Sequence, residues 1–165
     1  MRAILRWFPL GALLLCGCNS PDTPSGATQS PSGSSAQGTP FHTIADTKQL
    51  MNWILDPAAD VVWGAVGTII TAEGTERIEP KTDEEWTAVR NGAAVVAESG
   101  NLLMLPGRAR DQEWMDFARK LIDTANETLQ AAEAKDAETL FTAGSDMYLV
   151  CAACHEKSLP PPSQQ

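Results

Sequence analysis

The stretch Cys151-Ala152-Ala153-Cys154-His155, closed off shortly afterwards by Pro160-Pro161-Pro162, decides how this chain is read. On a helix, a Cys-x-x-Cys spacing puts two thiols on one face, about one turn apart. That is the arrangement needed to add both sulfurs across the two vinyl groups of one haem, and the histidine that follows can ligate the iron. Other uses of the pair fit less well. A redox disulfide favours the start of a helix in a mixed αβ pattern, whereas this pair ends the last helical stretch of the chain. A zinc site wants four ligands, and beyond the cluster only His42 is on offer. A structural disulfide between the two would close a tiny, strained loop. The expectation is one covalent haem c on Cys151 and Cys154, with His155 on the iron.

Working back from the motif, the pattern is helical. Asp136 caps a last helix with Leu140, Phe141, Gly144, Met147, Tyr148 and Cys151 along one side, after a short break near Lys135. The helix before it starts near Asp111, with Trp114, Phe117, Leu121, Ile122, Ala125 and Leu129 as its stripe. Asn101 to Arg110 reads as a loop whose Leu102 to Leu105 pack over one end of the core. Ahead of it Thr82 and Glu85 form a capping box, Trp86, Val89, Ala93, Val96 and Ala97 an apolar face, and Gly100 a C-terminal stop. The first helix has Asp46 as N-cap, with Gln49 three residues later. Leu50, Ile54, Ala58, Val61, Ala65 and Ile69 follow, and an end is expected near Glu73-Gly74. Pro57 predicts either a kink or a fresh helix capped by Asp56. Helices joined mostly by short loops pack as an antiparallel four-helix bundle, so the expected class is all-α. The tryptophans after Trp7 are expected in the core or the haem pocket.

The N-terminus is an address. Arg2 and Arg6 precede a short apolar run, Trp7 to Leu15, too short to span a bilayer, in the layout of a secretory signal. Leu15-Cys16-Gly17-Cys18 resembles the lipobox of bacterial lipoproteins. That implies cleavage after residue 17, lipid on Cys18, and a place on the periplasmic side of the envelope. Asn19 is not the Asp associated with inner-membrane retention, which favours the outer membrane. Residues 18–40 are rich in Pro, Ser, Gly and Thr and cannot bury enough apolar surface to fold; they read as a tether. Residues 41–160 are the expected domain and 161–165 a disordered tail.

The chain carries 21 acidic against 12 basic residues, and losing Arg2 and Arg6 takes its formal charge from −9 to −11. Such a surface repels nucleic acid and suits a basic partner protein met by electrostatic steering.

A haem motif that ends the final helix resembles the class II cytochromes c, the cytochrome c′ family. The matching run is Leu140-Phe141-x-x-Gly144 leading into Cys151-x-x-Cys154-His155, and the resemblance covers about residues 44 to 158. Ser158 and Leu159 stand where family members often carry an aromatic and a basic residue. The resemblance implies a four-helix bundle with haem near the C-terminus of its last helix. Low-spin members place a methionine on the first helix as sixth iron ligand, which implies that role for Met51; Met104 sits in a loop, and Met147 is expected beside the haem. The implied role is electron transfer with a redox partner protein, and the alternative is a five-coordinate haem that binds nitric oxide or another small gas. No distal His and Arg pair suggests an enzyme, and a homodimer stays open.

Overall fold

A computed structural model describes residues 41–159. The leader at 1–17, Cys18, the tether at 18–40 and the tail at 161–165 lie outside the described residues. Helix dominates: α1 (Thr47–Leu50), a π-helical turn (Met51–Leu55), α2 (Asp56–Ala65), α3 (Asp83–Leu103), α4 (Gln112–Ala134) and α5 (Ala137–Ser158). Between α2 and α3 lies a two-stranded antiparallel hairpin, β1 (Gly67–Thr71) and β2 (Gly74–Ile78), with Gly67 opposite Ile78 and Thr71 opposite Gly74.

The helix starts follow local chemistry. Asp46 accepts from Gln49 N–H at 2.8 Å while the Gln49 side chain accepts from Asp46 N–H at 2.9 Å, a reciprocal capping box. Thr82 and Glu85 repeat this at α3. Asp111 accepts from Trp114 N–H at 2.9 Å, and Asp136 from the N–H groups of Glu138 and Thr139. Between α4 and α5 the chain turns on Lys135 in the left-handed conformation, φ 55°.

The first helical stretch departs from the sequence reading in two ways. It ends at Ala65, not near Gly74, and Ile69 belongs to a strand. Thr68-Ile69-Ile70-Thr71 is a β-branched run, stiff at χ1 and better suited to a strand than a helix. The all-α expectation is corrected to that extent. Second, the buried residues are Leu50, Leu55, Ala58, Ala59 and Val62, whereas Ile54 and Val61, expected in the stripe, are 38% and 43% exposed. The cause is the π turn: Asp56 N–H reaches back to the carbonyl of Met51, five residues before it. One extra residue in the turn shifts the apolar spacing from four to five between Leu50 and Leu55. Pro57 stands in the first turn of a helix that begins at Asp56, as the fresh-helix alternative has it, but the N-cap is Leu55 and not Asp56. It follows the wide turn at the start of α2, where a missing N–H costs little.

α3 packs along α4, α4 along α5, α2 along α3 and, less extensively, α2 along α5. The core between them takes Val89, Ala93 and Val96 from α3, Ala118, Leu121 and Ala125 from α4, and Leu140 and Met147 from α5. Gly100 does not stop α3, which runs on to Leu103, so Asn101 to Leu103 are helical and not loop. Gly100 is instead a contact point, facing the Ala118 carbonyl and Ile122 of α4. Gly92 plays the same part against the Ala58 carbonyl. Phe141 and Tyr148, expected on the buried side of the last helix, are mostly exposed.

Arg108, in the α3–α4 connection, is buried. Its guanidinium donates to the Ala45 carbonyl at 2.7 and 3.2 Å and to the Leu102 carbonyl at 3.2 Å. This planar donor fork ties the residue just before the α1 cap to the end of α3. Among the described residues, no helix is long and apolar enough to cross a membrane.

Candidate haem site

Cys151, Cys154 and His155 occupy the last two turns of α5, on the wall of a cavity of about 320 Å³. Met51 and Asn52, from the π turn, line the same cavity. Leu55 and Ala59 continue that wall, Leu103 comes from α3, and Trp114, Phe117 and Leu121 from α4. Every helical segment from the π turn onward thus contributes, and the lining is mainly apolar. The volume falls within the range of about 300–1,000 Å³ usual for small-molecule and cofactor pockets.

The walls are fixed by hydrogen bonds that satisfy the indoles. Trp114 Nε1–H donates to the Leu103 carbonyl at 2.9 Å. Trp63 Nε1–H donates to the Gly144 carbonyl at 3.0 Å, joining α2 to α5. Trp63 also meets Tyr148 edge to face, with ring centroids 5.6 Å apart. Outside the cavity, the Arg110 guanidinium lies 4.3 Å from the centroid of the Trp114 ring. Two tryptophans therefore serve the cavity as expected and Trp86 serves the core, but Trp53 is 61% exposed, turned outward on the π turn.

Both motif cysteines are free thiols, half-buried. Burial pushes the Cys151 thiol up to about 11, with smaller contributions from Cys154 and Asp56. Burial also raises Cys154, opposed by a contact with Ser158 at 3.8 Å and by the Arg110 charge. A redox Cys-x-x-Cys needs the opposite, a thiol lowered towards neutrality. Among the described residues no three His, Cys, Asp or Glu side chains converge to hold a bare metal ion.

Of the residues singled out in the sequence, Cys151, Cys154, His155 and Met51 are brought to one cavity. Met104 and Met147 are not among its lining residues. Met147, expected beside the motif, is instead fully buried in the core. His42 is exposed ahead of α1. Asp56 and Asn52 are wall residues that the sequence expectation does not include; counting back from Trp63 in steps of four and three reaches Ala59 and Asp56.

No protein-family model, curated protein or solved structure matches this chain.

Proposed function

We propose that this chain is a c-type cytochrome of the class II kind, an antiparallel four-helix bundle holding one covalent haem, and that it acts in electron transfer. The observation that carries the reading is that Cys151, Cys154, His155 and Met51, drawn from opposite ends of the domain sequence, line one apolar cavity. Two thiols and an imidazole are the donor set of haem attachment, and an aromatic, aliphatic wall suits a flat apolar macrocycle.

In this reading Cys151 and Cys154 would hold the haem, each thiol adding its S–H across one vinyl group, sulfur to one carbon and hydrogen to the other. The reaction needs no oxidant and releases no leaving group. His155 would give an imidazole nitrogen to the iron. Met51 would supply a thioether as a further ligand, one that favours the reduced state and raises the potential. Bound there, the haem supplies a one-electron Fe(III)/Fe(II) couple. Leu55, Leu103, Leu121 and Phe117 keep water from it, and hydrophobic surroundings are themselves a control on potential.

The proposal extends to the parts outside the described residues. Lipid on Cys18 anchors the chain on the periplasmic side of the envelope, and residues 18–40 let the domain reach a partner. The acidic surface suits a basic redox partner. The test is the visible spectrum of the purified protein, oxidised and reduced, with and without carbon monoxide. A low-spin spectrum insensitive to carbon monoxide fits electron transfer. A high-spin, carbon monoxide-binding spectrum moves the gas-binding alternative ahead.

A further inference from the structure

Resting on the reading of Met51 as an iron ligand, we infer that Pro57 is a positioning residue: by holding the turn Met51–Leu55 in the π form it selects Met51, and not Asn52, for the inner wall of the haem cavity. Counting along the helix shows how. Asp56, Ala59 and Trp63 line the cavity at α-helical spacing. In an unbroken α-helix the next residue in that row, four before Asp56, is Asn52. In the π turn the Asp56 N–H bonds to Met51, five before it, so Met51 takes that place. One extra residue rotates everything ahead of it by about 100°. Accordingly Leu50 is buried in the core and Met51 is half-buried, whereas Asn52, which also lines the cavity, is exposed.

Pro57 is what disfavours the α alternative. It has no N–H to give the Trp53 carbonyl, and in an α-turn its ring would press on that carbonyl. π turns of this size are uncommon and tend to occur at functional sites, and this one borders the cavity. The exposed apolar side chains of Trp53 and Ile54 are the visible cost of the shifted register.

The spectrum of the haem-loaded protein tests this. Pro57→Ala is expected to let the segment relax toward α-helix. Low-spin bands are then lost in favour of high-spin ones, and carbon monoxide binding appears. Deleting Ile54 in the Pro57→Ala background removes the extra residue and restores the phase, so low-spin bands are expected to return. A merely structural role for Pro57 would not produce that rescue. Should Pro57→Ala fail to fold, the exchange Met51→Asn with Asn52→Met keeps Pro57 and the turn, and is expected to be high-spin. A low-spin spectrum that survives Pro57→Ala overturns the inference while leaving Met51 ligation standing; one that survives the exchange also overturns it, because the iron is then low-spin without a methionine at 51. A wild-type protein that is already high-spin overturns Met51 ligation itself and the inference with it.

Discussion

A Cβ placed on Gly100 would lie 2.5 Å from Cγ1 of Ile122 and 2.9 Å from the carbonyl oxygen of Ala118, so α3 and α4 meet where a side chain is absent. The Ile122 side chain can move aside, but the Ala118 carbonyl is fixed backbone. Gly100→Ala is therefore expected to destabilise the fold by about 1–3 kcal/mol through overpacking. Adding Ile122→Ala should recover little of it. Chemical denaturation of the two variants checks this, and a stable Gly100→Ala would mean that the helices can separate there freely.

Acid should weaken the fold through its helix starts. The hydrogen bond from Lys135 and then its charge hold the Asp83 carboxyl below the usual range. Backbone N–H groups of Lys81 and Thr82 do the same for Glu85. For Asp136 the cause is the backbone N–H and then the hydroxyl of Thr139. A carboxyl lowered in the folded state contributes stability that is complete above its unfolded pKa and is lost as pH falls through the folded one. The melting temperature should therefore drop below about pH 4, where unperturbed carboxylates begin to protonate. Asp83→Asn should flatten that limb, and an unchanged acid profile would show that the pair with Lys135 contributes nothing.

The caps were legible because capping is local: Asp46 with Gln49, Thr82 with Glu85, Asp111 and Asp136 each need only a side chain within a few residues. The motif residues of the site were legible for the same reason. The register of the first helix was not. Leu50, Ile54, Ala58 and Val61 fit an α stripe, and so do Leu55, Ala59 and Val62. Only the packing decides, by burying Leu50 and Leu55 together. Gly100 misled for a related reason: the two causes of a helical glycine, a stop and a close approach, differ only in what faces it from another helix. The hairpin has a signal in the β-branched run Thr68 to Thr71, which Ile69 masks by continuing the helical spacing from Ala65.

Met51→Ala should convert a low-spin spectrum to high-spin, lower the midpoint potential and open the iron to carbon monoxide, because loss of a thioether ligand removes its preference for reduced iron. Potentiometry with optical readout measures both changes at once. An unchanged potential and spectrum would leave Met51 as cavity lining only, a role methionine fills readily.

Cys18→Ala should convert a membrane-associated protein into a soluble or unprocessed one, seen by fractionation and by the mass of the N-terminal peptide. A wild type already soluble, with an unmodified N-terminus, would contradict the lipid anchor.

The central claim is that Cys151 and Cys154 carry a haem covalently. The most direct measurement is the mass and absorbance of the exported protein after denaturation and acidic organic extraction. The polypeptide is expected to keep its haem colour and to be heavier by one haem, and Cys151→Ser with Cys154→Ser is expected to abolish both. Haem that extracts freely from the wild type, or a wild-type mass equal to that of the bare chain, would contradict it.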